Sequence, residues 1–187
     1  MRKPWLILCL FCITLLTACG MNKDKSYQIK PFMFTDQNKQ PFGTENLKGK
    51  VWVANFIFTS CETVCPPMTA SMTALRDRMK KEKLKVEVVS FSVDPTVDRP
   101  DVLKSYIAKF TDDESNWHLL TGYDQKQIET FARDEFQTFI EKPKSSNQVI
   151  HSTSFYLIDQ NGKIVQHYGF QKSHFNEIIN DIKRLDE

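Results

Sequence analysis

The sequence has little of what would place it outside the globular proteins. Its 187 residues include only 6 Gly and 8 Pro, which excludes collagen-like and low-complexity chains. It also has little charge excess: the net charge of +2 comes from Arg2 and Lys3, the only charged residues before position 19, and residues 19–187 carry 23 basic and 23 acidic side chains. Nucleic-acid binding depends on neutralising phosphates, so we expect no nucleic-acid partner. The length and the 41% hydrophobic content favour one folded domain.

No hydrophobic run reaches the roughly 20 apolar residues of a comfortable membrane span. The apolar residues 5–18 follow Met1-Arg2-Lys3 and precede small residues, which is the pattern of a secretory signal. We predict a lipoprotein signal peptide over residues 1–18, a lipidated tether over 19–26 and a folded domain over 27–187. An uncleaved signal anchor is the alternative.

The predicted cleavage site resembles the lipobox of bacterial lipoproteins, Leu16-Thr17-Ala18-Cys19-Gly20. The resemblance implies that Cys19 is acylated and becomes the new N-terminus. Two acyl chains hold a protein stably on a membrane, whereas one holds it only marginally. We therefore expect the folded part to be anchored by lipid on the extracytoplasmic face of the cell membrane.

Cysteine is scarce in the predicted mature chain. Cys9 and Cys12 leave with the signal peptide and Cys19 carries lipid, so only Cys61 and Cys65 remain in a compartment where thiols can oxidise. A bridge that closes so short a loop contributes only about 2 kcal/mol, against about 4.7 for a 100-residue loop. The pair is therefore predicted to serve chemistry rather than stability.

Alternating strand and helix patterns predict an α/β sandwich with a mixed central sheet and an N-terminal β-hairpin. The hairpin turn is expected at residues 36–39, and a buried strand at 51–58 leads into a helix at 66–81. Asp98 is predicted to cap the next helix, with Pro100 in its first turn. The other expected elements are strands at 84–93, 117–120, 154–158 and 164–168, and helices at 98–110, 125–136 and 173–185.

The two cysteines fall between the buried strand and the helix that follows it. This arrangement places Cys61 and Cys65 at the carboxyl edge of the sheet, where open α/β sheets bind ligands. The positive end of the helix favours thiolate over thiol. Two thiolates suit Cu(I) or Zn, and the same pair can form a disulfide, so the spacing leaves metal binding and redox chemistry both open.

Four segments, in order along the chain, resemble the Sco (SenC) family. They are Phe58-Thr59-Ser60-Cys61-Glu62-Thr63-Val64-Cys65-Pro66, Asp94-Pro95-Thr96-Val97-Asp98, Trp117-His118-Leu119-Leu120-Thr121-Gly122, and His151-Ser152-Thr153-Ser154 with Gly162 in the turn beyond.

The resemblance implies a thioredoxin-like fold in a membrane-tethered protein that helps to build the dinuclear copper centre of cytochrome c oxidase. It also implies that Cys61, Cys65 and His151 bind copper as Cu(I) or Cu(II), with Asp94 near the site as an outer residue. The fourth ligand is not evident. The implied partner is the copper-centre subunit of the oxidase, and we expect this chain to be a monomer.

Two functions fit this pattern. The first is a copper metallochaperone, which is not an enzyme. The alternative is a thiol–disulfide oxidoreductase that keeps the copper-ligand cysteines of the oxidase reduced, with Cys61 attacking and Cys65 resolving. The Cys-x-x-x-Cys spacing, and the lack of proline near Ser152, argue against a general thioredoxin-like enzyme. A peroxiredoxin-like peroxidase, in which Cys61 reacts with peroxide, is the weakest alternative.

The remaining histidines and the methionines near the cysteines are interpreted as structural. The histidines lie in ordinary strand or helix patterns, and the methionines recur at helical spacing, which favours core packing over thioether ligation. These residues are His118, His167, His174, Met68 and Met72.

Overall fold

The computed structural model describes residues 28–144, 146 and 148–186. The predicted signal peptide, the tether and the lipidation site Cys19 lie outside the described residues, so their boundaries stay predictions. In the part that is described, no helix combines the length and the apolar character that a membrane span requires.

The described chain alternates strands and helices. The strands are β1 Met33–Thr35, β2 Pro41–Gly43, β3 Val51–Ile57, β4 Val86–Ser92, β5 Trp117–Leu120, β6 Ser154–Ile158 and β7 Ile164–Gly169. The helices are α1 Thr44–Leu47, α2 Cys65–Lys81, α3 Pro100–Ile107, α4 Gln125–Phe136 and α5 Phe175–Leu185, with a 3-10 turn at Lys172–His174 before α5.

Five of the strands form one sheet in the order β5-β4-β3-β6-β7. Strands β3, β4 and β5 are parallel, whereas β6 pairs antiparallel with β3 and with β7. Strands β1 and β2 form a separate antiparallel hairpin. The predicted mixed sheet, flanking helices and N-terminal hairpin are therefore confirmed.

The central strand β3 is buried at every position, as expected of a strand that is covered on both faces. Helix α2 buries an apolar stripe, and the N-terminal hairpin and α4 contribute to a cluster of aromatic rings around Phe91. The stripe consists of Met68, Met72, Leu75 and Met79, which confirms the packing interpretation of the two methionines nearest the thiols. Burial of these side chains is the main source of stability for the sandwich.

The ends of several predicted elements shift by one to three residues, and the shift at α3 changes the role predicted for a residue near the site. Helix α3 begins at Pro100 and ends at Ile107, and its N-cap residue is Arg99 rather than Asp98. The Asp98 carboxylate instead turns into the protein and accepts hydrogen bonds from Ser92 and Thr59. A buried carboxylate needs several donors, and those at the ends of β3 and β4 outcompete the helix cap.

The topology gathers three segments at one edge of the sheet. The parallel strands β3 and β4 both end there, so the cysteine loop lies beside the turn that follows Ser92. Strand β6 is antiparallel to β3 and starts at the same edge, which brings the residues just before Ser154 to this place. The predicted site residues from three distant stretches of sequence therefore meet at the carboxyl edge.

Candidate metal centre

The dithiol loop, residues 58–65, joins the end of β3 directly to the start of α2. Its turn is closed by the Cys61 N–H, which donates to the Phe58 carbonyl over 3.3 Å. Pro66 and Pro67 occupy the first turn of the helix, where a missing N–H has no partner to lose. Both thiols are free, and both residues are buried, Cys61 with 4% and Cys65 with 0% of its surface exposed.

The two sulfurs differ in their surroundings. Burial acts to raise the pKa of Cys61, but hydrogen bonds outweigh it and lower the pKa, chiefly through the Cys65 N–H, which donates to Cys61 Sγ over 3.4 Å. This N–H belongs to the first residue of α2, so the positive end of the helix dipole stabilises the thiolate of Cys61. Burial raises the pKa of Cys65 well above its ordinary value. The expected preference for thiolate therefore holds for Cys61 and is wrong for Cys65.

The histidine arm, residues 137–153, connects α4 to β6 and carries His151 to the thiols. The distance from His151 Nε2 to Cys65 Sγ is 3.6 Å. The other ring nitrogen, Nδ1, lies 2.8 Å from the Ser152 carbonyl oxygen, which can only accept, so we assign the ring proton to Nδ1. A histidine that donates through one ring nitrogen to a carbonyl has the other free to bind a metal.

The surroundings of His151 favour the neutral form of the ring. Burial lowers its pKa, against the smaller opposing effect of the hydrogen bond to Ser152. The imidazole packs against Phe58 in a T-shaped arrangement, with ring centroids 5.5 Å apart. A neutral imidazole with a lone pair on Nε2 is the form that binds metal ions. Because the pKa is lowered, His151 keeps this form at a more acidic pH than an ordinary histidine does.

Cys61, Cys65 and His151 form a candidate ligand set for a metal ion. Within residues 28–144, 146 and 148–186, no three Cys, His, Asp or Glu side chains already stand together as a metal cage. Cys65 and His151 are in contact, whereas Cys61 Sγ faces the backbone N–H of Cys65. Two sulfurs and one imidazole suit Cu(I), Cu(II) or Zn. All three side chains come from the dithiol loop and from the residues just before β6, and they lie at the same edge of the sheet.

Asp94, the predicted outer residue, lies in the turn after β4 and is buried. Its carboxylate accepts hydrogen bonds from Thr96 Oγ1 over 2.7 Å and from Lys142 Nζ over 2.6 Å, and its N–H donates to Ser92 Oγ. Neither a sulfur nor the imidazole is among these partners. Asp94 therefore touches the histidine arm through Lys142, not the ligands themselves.

Sequence reasoning missed two residues at this edge. Asp98, interpreted as a helix cap, is the carboxylate whose charge contributes to raising the pKa of Cys65. Lys142 had no motif to mark it, because an isolated lysine in a loop is usually a solvated residue. Its contact with Asp94 shows that it belongs to the site region.

The other histidines have neighbours of their own. His118 stacks on Phe42 with ring centroids 3.7 Å apart, and lies 3.7 Å from the carboxylates of both Asp36 and Glu87. His174 lies 3.6 Å from Glu177, and the ring of His167 faces Tyr156 at 6.0 Å. These contacts agree with their interpretation as packing or surface residues.

A buried dithiol and a neutral imidazole at the carboxyl edge of a mixed sheet define a thioredoxin-like protein with a dithiol–histidine site. The SCO1/SenC family model matches residues 20–187, and the chain belongs to this family. The resemblance noted in the sequence motifs is thereby confirmed, and the thioredoxin-like fold with it.

Three solved structures illustrate the relationship. A SCO1/SenC family lipoprotein from Bacillus anthracis str. Ames is 53% identical, with a TM-score of 0.85, over 90% of this chain and 100% of that chain. BsSco, described as a member of the Sco family of cytochrome c oxidase assembly proteins with a disulfide switch, is 44% identical with a TM-score of 0.79, over 86% and 94%. Copper-bound ScoI from Bradyrhizobium japonicum is 28% identical with a TM-score of 0.70, over 83% and 98%.

Proposed function

We propose that this protein binds copper and assists assembly of the dinuclear copper centre of cytochrome c oxidase. The observation that carries the proposal is the contact between Cys65 Sγ and the free Nε2 of His151 at 3.6 Å, beside the second thiol. The proposal is supported by two relatives, the copper-bound ScoI and BsSco of the family of oxidase assembly proteins. The recipient is the copper-centre subunit of the oxidase.

Copper is the cargo, and three side chains would hold it. Thiolates of Cys61 and Cys65 suit Cu(I), and the imidazole of His151 adds a ligand that also suits Cu(II). The hydrogen bond from Nδ1 to the Ser152 carbonyl orients the ring and keeps Nε2 free. A site with both ligand types can accept copper in either oxidation state.

Lipidation at Cys19, after removal of residues 1–18, would hold the domain at the outer face of the membrane as a monomer. The described chain starts at Gln28, which bridges to Lys163 in the turn between β6 and β7. Strand β6 ends opposite Trp52 near the start of β3, so this turn is at the far end of the sheet from the thiols. A tether that enters there leaves the site accessible to a partner. A relative from Bacillus anthracis, described as a lipoprotein, supports this anchoring.

Deletion of the gene tests the proposal directly. We expect the deletion strain to lose oxidase activity and to recover it with added copper, because delivery is what is missing. Cys61→Ala, Cys65→Ala and His151→Ala should fail to restore activity, whereas His174→Ala, which alters a surface histidine, should restore it. Full oxidase activity in the deletion strain, or complementation by all three site variants, would rule out the function.

A second candidate function is reduction of the copper-ligand cysteines of the oxidase, and the unequal thiols favour it. The thiolate of Cys61, whose pKa is lowered, would attack one sulfur of the partner disulfide and release the other as thiolate. Cys65 would then attack the mixed disulfide, which leaves the Cys61–Cys65 disulfide and two reduced thiols on the partner. This route does not need His151, so retention of activity in His151→Ala separates it from copper delivery.

A further inference from the structure

We propose that Lys142 is the positioning residue for His151: its ion pair with Asp94 holds the histidine arm at the distance from the dithiol loop that a shared copper ion requires. The proposal rests on the proposed copper-binding function and extends it to a residue outside the ligand set. Lys142 does not touch the sulfurs or the imidazole. It acts through the backbone that carries the imidazole.

Two backbone hydrogen bonds connect the two ends of the histidine arm just before His151. Glu141 and Ile150 form an isolated antiparallel bridge, in which each N–H donates to the other residue's carbonyl, over 3.0 Å and 2.9 Å. This bridge ties the residue before His151 to the residue before Lys142. A displacement of Lys142 is therefore transmitted to His151 through two hydrogen bonds and two peptide units.

Lys142 is fastened to a rigid acceptor. Its Nζ lies 2.6 Å from Asp94 Oδ1 and 3.1 Å from Thr96 Oγ1. The Asp94 side chain is only 2% exposed and that of Lys142 is 24% exposed, so water competes weakly for the pair. The turn that carries Asp94 is closed by the N–H groups of Val97 and Asp98, which both donate to the Asp94 carbonyl.

The same turn is also fastened to the dithiol loop. Asp98, at the other end of the Asp-Pro-Thr-Val-Asp segment, accepts from Thr59 Oγ1 over 2.5 Å and from the Thr59 N–H over 3.2 Å. Ser92 Oγ donates to Asp98 over 2.6 Å and accepts from the Asp94 N–H over 3.1 Å. A continuous chain of hydrogen bonds thus joins the two ligand-bearing segments through one turn.

This geometry gives the two carboxylates separate tasks. Asp98 holds the loop of Cys61 and Cys65, and Asp94 holds the arm of His151 through Lys142. Loss of the Lys142 charge should release the imidazole while leaving the dithiol in place. Binding that depends on His151 should then weaken, and binding by the sulfurs alone should persist.

The test uses the full chain purified in detergent, with Lys142→Met compared against wild type and against Lys144→Met, an exposed lysine in the same arm. We expect Lys142→Met to reduce Cu(II) affinity by about 10- to 100-fold, as loss of an outer partner of a metal ligand does. Its Cu(II)–thiolate absorption band should shift, while Cu(I) affinity stays near that of wild type. Lys144→Met should match wild type in each measurement.

A metal-free readout makes the proposal independent of copper. Hydrogen exchange of the Glu141 and Ile150 amides should be faster in Lys142→Met, and the nitrogen resonances of the His151 ring should move. Lys142→Arg keeps the charge and should restore most of both. The double variant Asp94→Asn/Lys142→Met leaves no unpaired buried charge, so it should fold well and still show the loosened arm.

The outcomes separate the two proposals. Unchanged amide exchange and unchanged ring resonances in Lys142→Met would overturn the positioning role, whatever the copper results. Equal losses of Cu(I) and Cu(II) binding, together with a lowered melting temperature, would also overturn it, because they indicate a general structural role. Absence of copper binding by the wild-type chain would refute the proposed function, and the amide exchange would still decide the role of Lys142.

Discussion

The dithiol loop and the histidine arm bring ligands to the same point by different means. The loop is short, lies between a buried strand and a helix, and is fixed by its own backbone hydrogen bonds and by Asp98. The arm is longer and more exposed, with Phe139 at 63% and Ile150 at 55% exposure, and the contacts of its described residues include the Glu141–Ile150 bridge and the ion pair of Lys142 with Asp94. More exposed segments open more easily, so we expect residues 148–153 to open before the dithiol loop does.

Removal of either thiol should have the largest effect on copper affinity, because it deletes a ligand from the firmly held dithiol loop. We expect Cys61→Ser and Cys65→Ser each to lower Cu(I) affinity by more than the roughly 100-fold that loss of an outer partner can cost. Competition with a chromogenic Cu(I) chelator measures it, with Ser60→Ala as the neighbouring control. If either serine variant binds Cu(I) as tightly as wild type, the dithiol is not the primary site.

Removal of the imidazole should have a more selective effect. His151→Ala should lose Cu(II) affinity by at least the roughly 10-fold cost of an outer-partner loss, and should lose less Cu(I) affinity, since thiolates alone satisfy Cu(I). Equilibrium titrations with each oxidation state, with His167→Ala as control, provide the comparison. Equal losses of Cu(I) and Cu(II) affinity would contradict the idea that the imidazole serves mainly Cu(II) and the thiols mainly Cu(I).

The two thiols should also differ in reactivity with pH. The pKa of Cys61 is lowered from 9.0, so its alkylation should rise with a midpoint below pH 9, whereas the raised pKa of Cys65 keeps that thiol protonated there. Ionisation of Cys61 favours the folded state as pH rises through this midpoint. The effect of Cys65 on stability has the opposite sign, because above pH 9 its thiol ionises in the unfolded chain but stays protonated in the folded one. Peptide mapping of the metal-free protein after brief alkylation shows which thiol is labelled first. Faster labelling of Cys65 would refute the assignment of Cys61 as the more acidic thiol.

The smallest effect concerns the anchor of the loop. Thr59→Val removes the hydroxyl that donates to Asp98 and should lower the free energy of unfolding by about 1.5–3 kcal/mol, the range for a hydrogen bond to a charged group. Thr138→Val, in the arm, is the matched control, since its hydroxyl has no hydrogen-bond partner among the described residues, and it should change stability by less than about 0.5 kcal/mol. Denaturant unfolding measures both. Equal effects would mean that the loop is no more firmly held than the arm.

Local patterns were sufficient to predict the rigid half of the site. The apolar run of β3, the cysteines and the prolines at the start of α2 are adjacent in sequence, so their placement depends on short-range geometry. The prediction was wrong for Asp98 because an aspartate just before a helix can be an N-cap or a buried hydrogen-bond acceptor, and the sequence does not distinguish the two. It was wrong about the Cys65 thiolate because burial, which only packing decides, outweighs the helix end.

The position of His151 came from family resemblance, since its own sequence surroundings do not distinguish it from the other histidines. What the amino-acid sequence alone determined was the alternation of strands and helices, and with it the edge of the sheet where two thiols lie. Only tertiary structure decided the distance to the imidazole and the tie through Lys142, because both depend on contacts between segments far apart in the chain, whose free energy is settled when the whole domain packs.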